Sequence, residues 1–179
     1  MLKTIIAPVD GSDHARKAVD LAGDLAGKYG ARLVLLYVVA GGLRPGDVRA
    51  LIDVARLPVE ARAELERVEE EQKAAVAALS DDSTGLMASS IPLSPALLGA
   101  VGNVVLDNAE NAAREHGAPD VNAVLMHGDP AKCILSLAEA EADMIVMGTR
   151  GLSNLAGLFV GSVSHKVNQL SHCTCITVR

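Results

Sequence analysis

Aromatic side chains are scarce in this chain of 179 residues, which has no tryptophan, one phenylalanine and two tyrosines. Proteins that bind single-stranded nucleic acid stack its bases on exposed aromatic rings, so such a platform is close to excluded. Positive charge is scarce as well, because 16 basic residues stand against 22 acidic ones and leave a net charge of −6. A polyanion needs a basic surface, and we therefore predict no nucleic-acid partner. One small anion stays compatible with this charge, since backbone N–H groups can hold a phosphate.

Cysteines are few, and their odd number, three, fits no disulfide framework. Cys173 and Cys175 are one residue apart in a strand-like run, so their side chains point to the same face and do not pair easily. We interpret both, together with Cys133, as reduced thiols, which indicates a reducing compartment and a cytoplasmic protein.

The sequence also predicts neither a signal peptide nor a membrane span. Its N-terminal apolar run covers only about six residues and ends at Asp10. The longest uncharged stretch, Ser83 to Leu106, contains Pro92, Pro95 and three glycines. A spanning helix needs about 20 mostly apolar residues, so we predict that no segment crosses a membrane.

What the sequence does have is a regular alternation of apolar runs and amphipathic segments. Half of its residues are hydrophobic, enough to build one globular domain over residues 1–179. The amphipathic segments predict helices, and the apolar runs predict strands that are buried on both faces. The predicted strands are 4–9, 32–39, 122–126, 144–147 and 173–178. This alternation predicts an α/β fold with a mostly parallel sheet.

Residues from about 40 to 95 interrupt this alternation after the second strand. Glycines and a proline near residues 41–46 predict a loop, and residues 57–79 predict a charged helix with an apolar stripe. The stripe consists of Ala61, Leu65, Val68, Ala75 and Leu79, with Gln72 between them. We expect a helical insertion that serves contacts, either with the sheet of the same chain or with a second subunit or partner. A lid over a binding crevice is the remaining alternative.

A glycine-spaced loop follows the fourth predicted strand. It begins at Gly148, passes Gly151 and ends at Gly161 and Ser162, where the last predicted helix begins. Ligands of open α/β sheets bind at the carboxyl ends of the strands, and helix N-termini attract phosphate. The loop therefore predicts a phosphate site, although the glycines alone would equally fit a connection that turns a corner. The P-loop and dinucleotide-binding fingerprints are both absent.

The spacing Gly148-x2-Gly151-x9-Gly161-Ser162 resembles that of the ATP-binding subgroup of the universal stress proteins of the UspA type. The opening Ile5 to Ser12, the block Val124 to Pro130 and the block Ala142 to Gly148 are also similar to that family. The resemblance covers residues 1–39 and about 96–179. It implies a Rossmann-like, adenine nucleotide alpha hydrolase-like fold. In that fold five parallel strands lie in the order 3-2-1-4-5, here with a helical insertion after strand 2.

The same resemblance implies a set of nucleotide-binding residues. Asp10 would bind the ribose and, as part of a Mg²⁺–ATP complex, help to hold the metal ion. The adenine pocket would be lined by Ala7, Pro8, Val9 and Val38, and Met147 is a further residue of the site. The phosphates would be held by Gly148, Arg150, Gly151, Gly161, Ser162 and Val163. Arg150 is the only basic residue between Gly148 and Gly161, so the expected affinity for a triphosphate is modest.

The function implied is that of an ATP-binding regulatory protein of the stress response. The alternatives left open are a slow ATPase, a binder of AMP or a cyclic nucleotide, and an interaction module with an empty crevice. The five histidines show no metal-ligand spacing, and the sequence identifies no catalytic residues, so a dedicated enzyme is not predicted. The last strand would be an apolar sheet edge if it stayed unpaired. Together with the resemblance, this predicts a homodimer through that strand.

Overall fold

The computed structural model describes residues 2–79, 91–152 and 161–179. Within these ranges the chain forms five strands, six α-helices and one short 3₁₀ helix, Val54–Arg56. The strands are β1 (Thr4–Val9), β2 (Arg32–Val39), β3 (Asp120–His127), β4 (Met144–Gly148) and β5 (Thr174–Val178). The helices are α1 (Asp13–Tyr29), α2 (Pro45–Leu51), α3 (Val59–Leu79), α4 (Pro95–Glu115), α5 (Pro130–Glu141) and α6 (Ser162–Leu170).

The five strands form one parallel sheet in the order β3-β2-β1-β4-β5, which confirms the predicted fold class. On one face of the sheet, Ile6, Val34 and Ile145 pack against Ile134 of α5 and Val167 of α6. Helix α1 packs on β1 and β4. Since every connection between parallel strands here passes through a helix, the central strands are covered by helices and their side chains are buried.

Capping residues mark the ends of the helices beside the sheet. Ser12 Oγ accepts a hydrogen bond from Ala15 N–H (3.3 Å) at the start of α1, and Gly30 ends that helix in the left-handed conformation, with φ 63°. Asp129 caps α5 by accepting from Lys132 N–H (2.8 Å), and Pro130 occupies the first helical position. These caps fix where each helix leaves the carboxyl end of the strand before it.

The chain divides into two compact units. The sheet unit contains the described residues up to Ala40 and those from Val105 onward, and the insertion unit is Gly41–Val104. The predicted loop at Pro45 and Gly46 is wrong, because these residues begin α2. Arg44 N–H donates to the carboxylate of Asp47 there (2.8 Å), and Pro45 stands at the first helical position. Proline lacks the N–H that a first turn would leave unpaired, so it starts a helix as readily as it marks a loop.

The charged helix of the insertion unit is α3, and its apolar stripe is buried only in part. Ala61, Leu65 and Val68 are buried, whereas Ala75, predicted to belong to the same stripe, is exposed. The side chain of Leu79 lies outside the described residues. The amphipathic pattern therefore identified the correct face of the helix, but burial stops in the middle of its length.

Two polar contacts hold the helices of the insertion unit together. Arg49 of α2 binds the carboxylate of Glu69 through two nitrogens, at 2.6 and 2.8 Å. Glu64 of α3 accepts from the backbone N–H (3.0 Å) and the hydroxyl (2.8 Å) of Ser94, the residue before α4. Ser94 Oγ in turn accepts from Leu97 N–H (3.1 Å), so Ser94 caps α4. In the part of the chain that the structure describes, no helix has the length and apolar character to cross a membrane.

Candidate functional site

The carboxyl ends of β1 and β4 are neighbours at the centre of the sheet. The chain leaves β1 towards β2 on one side and leaves β4 towards β5 on the other, so a crevice opens between the two connections. Asp10 follows β1, and Thr149 to Gly151 follow β4. Ser12 joins the two ends, because its N–H donates to Asp10 Oδ1 (3.0 Å) and its hydroxyl donates to the carbonyl of Arg150 (3.5 Å).

Asp10 and Gly151, predicted from different parts of the sequence, lie against each other. A Cβ placed on Gly151 would collide with Asp10 Oδ2, so only glycine leaves this carboxylate where it is. Gly11, with φ 86°, makes the sharp turn after Asp10 that an L side chain rarely adopts. The hydrogen bond from Ser12 N–H therefore holds the half-buried carboxylate in place, and glycine at position 151 leaves the space that the carboxylate occupies.

Gly148, one of the residues predicted to hold phosphate, is packed tightly against the first turn of α1. A Cβ there would lie 2.9 Å from Ala15 N and 2.9 Å from two atoms of His14, all in the first turn of α1. No real Cβ approaches backbone atoms so closely without a shift. Gly148 therefore lets α1 rest directly on the end of β4, and its closest neighbour is a helix of the same chain.

We expect Gly148→Ala to lower the free energy of unfolding by about 1–3 kcal/mol, the usual cost of forcing one extra carbon into a packed site. Urea unfolding of the purified variant measures this. Gly99→Ala in α4 is the matched control, because no described atom lies within 4 Å of a Cβ at position 99. The control should unfold at the same or a higher urea concentration than the unaltered protein. A Gly148→Ala variant as stable as that control would show that α1 is not seated on β4 as described.

Thr149 joins the two described ends of the glycine-spaced loop. Its carbonyl accepts hydrogen bonds from Gly161 N–H (2.8 Å) and from the hydroxyl of Ser164 (2.8 Å). Its own N–H donates to the carbonyl of Val178 at the end of β5 (2.8 Å), and its hydroxyl lies 3.1 Å from His14 Nδ1. Residues 153–160 of the loop lie outside the described residues.

The N-terminus of α6 is bound to Thr149. Gly161 N–H is already bound to Thr149, and the first hydrogen bond within the helix runs from His165 N–H to the carbonyl of Gly161 (3.0 Å). Helix geometry therefore leaves the N–H groups of Ser162 and Val163 without an acceptor inside α6. Ser162 and Val163, both predicted to hold phosphate, therefore offer backbone donors, whereas the Gly161 N–H is taken up by its hydrogen bond to Thr149.

The residues predicted to line an adenine pocket differ in the exposed fraction of their surface. Ala7 is completely buried, and Val9 and Met147 are nearly so, with 6% and 4% of their surface accessible. Pro8 and Val38 are half-buried. Only the last two therefore present a substantial side-chain surface on which a base could pack in this conformation.

Tyr37 was not predicted from the sequence as a residue of this region. It pairs in register with Val9, the residue before Asp10, at the end of β2. Burial raises the pKa of its phenol, and the negative charge of Asp10 raises it further. The signal in the sequence was a tyrosine placed two residues before the end of the second predicted strand.

The described ranges contain no group of three or more histidine, cysteine, aspartate or glutamate side chains that is close enough to hold a metal ion. Cys133, Cys173 and Cys175 are free thiols.

The family model and the relatives found by sequence comparison all indicate one protein family. The model of the Universal stress protein family matches residues 1–179. A Universal stress protein from Thermus aquaticus, named for its position in the QAH/OAS sulfhydrylase 3′ region, is 32% identical over the whole of both chains. Universal stress protein YxiE from Bacillus subtilis is 31% identical over the same extent.

Solved structures share the fold. The universal stress protein UspA from Lactobacillus plantarum is similar with a TM-score of 0.60 and 22% identity, covering 99% of this chain and 98% of its own. A universal stress protein in complex with cAMP gives a TM-score of 0.57 and 24% identity, covering 99% and 97%. The Archaeoglobus fulgidus universal stress protein in complex with dAMP gives 0.54 and 18%, covering 100% and 98%.

Proposed function

Because this chain belongs to the universal stress protein family, we propose that it binds an adenine nucleotide between the carboxyl ends of β1 and β4. The observation that carries the proposal is the carboxylate of Asp10, which is held over Gly151 beside the loop that leads to α6. The ligands of the two nucleotide-bound relatives, cAMP and dAMP, each consist of adenine, a sugar and one phosphate. The crevice has a group suited to each of these parts.

A carboxylate that accepts hydrogen bonds is suited to the hydroxyl groups of a ribose, and this is the proposed role of Asp10. The phosphates would be held by the N–H groups of Ser162 and Val163 at the positive end of the α6 dipole, with Arg150 adding one full charge. The half-buried side chains of Pro8 and Val38 would pack against the adenine. With one basic residue at the loop, AMP and a cyclic nucleotide remain competitors of ATP.

Mg²⁺ would accompany ATP rather than occupy a site made by the protein. This ion prefers six oxygen ligands and keeps several water molecules, and it is usually bound by one or two carboxylates together with phosphate oxygens. Asp10 can supply one such carboxylate oxygen. We propose that hydrolysis of ATP, if it occurs, is far below the enzyme median of about 10 s⁻¹. A general base would have to take a proton from the attacking water. The carboxylate of Asp10 already accepts a hydrogen bond from Ser12 N–H, and Nδ1 of His14 already contacts the hydroxyl of Thr149.

The proposal is tested by native mass spectrometry of the purified protein, followed by calorimetry with ATP, AMP and cAMP, each with and without Mg²⁺. We expect a bound adenine nucleotide, and we expect Asp10→Ala to weaken binding by at least about tenfold. Asp13→Ala is the matched control, because Asp13 is exposed in the first turn of α1 and pairs with Arg16 (3.1 Å). If none of the three nucleotides binds to the folded protein, the interaction module with an empty crevice is the correct function.

We further propose that the protein is a homodimer through β5. This strand forms an edge of the sheet, and Cys175, Ile176 and Val178 on it are half-buried. An edge strand of this kind exposes unpaired N–H and C=O groups to a second chain. A two-fold axis between two copies would pair the strands in antiparallel orientation and close the assembly. A cytoplasmic location remains a prediction.

We expect Thr177→Lys to convert the dimer to a monomer, because Thr177 is exposed on the edge strand β5 and lysine there opposes pairing. Light scattering at micromolar concentration measures the mass. Ala123→Lys is the matched control, since Ala123 is exposed on β3 at the opposite edge of the sheet. If the unaltered protein is already a monomer, or if the Ala123→Lys control dissociates and Thr177→Lys does not, β5 is not the interface.

A further inference from the structure

Ser164 is a buried polar residue in the first turn of α6, with 2% of its surface accessible. Its hydroxyl lies 2.8 Å from the carbonyl of Thr149 and 3.0 Å from the carbonyl of Gly161, and donates its hydrogen to this pair. One side chain thus joins the residue that follows β4 to the residue that precedes α6. It contributes no group to the crevice itself.

Thr149 is held from three directions. Its N–H binds Val178 of β5, its hydroxyl contacts His14 of α1, and its carbonyl accepts from Gly161 and Ser164. Two of these four contacts join backbone groups, and the contact with His14 leads to α1 instead of α6. Among the described contacts between Thr149 and the start of α6, the hydroxyl of Ser164 is the one that a substitution can remove without altering the backbone.

The position of Ser164 determines where the backbone donors at the start of α6 point. Ser162 and Val163 stand between Gly161 and Ser164, so fixing both of these residues to Thr149 fixes the direction of the two N–H groups between them. A binding site that is ordered before the ligand arrives avoids the entropic cost of ordering it on binding. If the start of α6 were not ordered in advance, part of the binding free energy would be used to order it each time a ligand binds.

We propose that Ser164 is a positioning residue of the nucleotide site: its hydroxyl locks the first turn of α6 onto Thr149, so that the N–H groups of Ser162 and Val163 are aimed at the phosphate before any nucleotide binds. This inference rests on the proposed function. It differs from a purely local role, in which the hydroxyl would stabilise the end of α6 with no consequence for the ligand.

Calorimetry with AMP separates the two roles. Ser164→Ala is expected to weaken AMP binding about tenfold, the effect of one buried hydrogen bond, and Ser164→Thr is expected to restore most of it. Asn168→Ala is the matched control, because Asn168 Nδ2 donates to the carbonyl of Ser164 (2.9 Å) and stabilises the same helix without touching Thr149. Unchanged affinity in Ser164→Ala would overturn the proposal. So would an equal loss in Asn168→Ala, or a Ser164→Thr variant that binds as weakly as Ser164→Ala.

Amide hydrogen exchange of the nucleotide-free protein gives a second test that is independent of any ligand. Protection of the Gly161 N–H should fall at least about tenfold in Ser164→Ala and stay unchanged in Asn168→Ala. Equal protection in the two variants would overturn the lock. If the unaltered protein binds no adenine nucleotide, the proposed function fails, while this exchange measurement still decides whether Ser164 holds the loop.

Discussion

Gly161→Val is expected to lower the affinity for an adenine nucleotide by at least about 100-fold, a loss of about 2.7 kcal/mol of binding free energy, in a protein that remains folded. The backbone at Gly161 has φ −72° and ψ 151°, a conformation that any residue adopts, so strain is not the reason. The reason is space. A Cβ at position 161 would lie 3.1 Å from the carbonyl oxygen of Thr149 and 3.4 Å from the Cα of Arg150.

The two methyl groups of valine extend beyond that Cβ, so α6 has to move away from Thr149. That movement breaks the hydrogen bond from Gly161 N–H to Thr149 and turns the N–H groups of Ser162 and Val163 away from the site. Calorimetry on the folded variant measures the loss, and Gly161→Ala should lie between valine and the unaltered protein. Gly41→Val is the control, since no described atom lies within 4 Å of a Cβ there. Equal affinities of Gly161→Val and the control would refute the site.

The sheet could be predicted from the sequence because its central strands are buried on both faces and read as unbroken apolar runs. The bounds of β1 and β2 agree with the predicted residues. Strand β3 is longer than its apolar run, beginning at Asp120 and ending at His127. It is an edge strand, and its length is set by pairing with all of β2, from Arg32 opposite Asp120 to Val39 opposite His127. The polar residues at the two ends of this edge strand do not extend the apolar run, so the sequence pattern does not assign them to the strand.

The insertion unit was predicted less completely. Helix α2 was missed because proline and glycine occur both in loops and in the first turn of a helix. The exposure of Ala75 was missed for another reason. Periodicity tells which face of a helix is apolar, but where the partner surface ends depends on tertiary packing that a single sequence does not contain.

At the candidate site, spacing and resemblance predicted Asp10 and Gly151, and the structure places them in contact. They did not predict why Gly148 is a glycine, because the answer lies in the first turn of α1, far away in the sequence. The same holds for Ser164. A lone serine on the inner face of a helix gives no sign that it binds Thr149 on the other side of the loop. Such contacts depend on the packed fold, which local patterns determine only in part.

The last prediction concerns the insertion unit. We expect that replacing Gly41–Val104 with a flexible Gly/Ser linker leaves the nucleotide affinity within about threefold of the unaltered protein. The described hydrogen bonds of the crevice all join residues of the sheet unit: Asp10, Ser12, His14, Thr149, Arg150, Gly161 and Ser164. The insertion unit has polar contacts of its own, between Arg49 and Glu69 and between Glu64 and Ser94.

The end of the deletion decides whether this experiment is interpretable. The sequence places the end of the insertion near residue 95, but the structure assigns residues up to Val104 to it. Stopping at residue 94 would leave residues 95–104 of the insertion unit in place, among them Leu97 and Val101, which are both completely buried. The shortened chain would then expose apolar surface and aggregate for reasons unrelated to the site. Joining Ala40 to Val105 removes the whole insertion unit instead of part of it.

Calorimetry and light scattering on the shortened chain then distinguish the three roles left open by the sequence. Unchanged affinity and an unchanged mass per assembly indicate that the unit only covers its own chain. Unchanged affinity with loss of the dimer indicates an interface, because β5 would then be insufficient to hold two copies together. A folded chain with strongly weakened binding would contradict our prediction and favour the lid, since closure over a ligand contributes to affinity through contacts made only in the bound state.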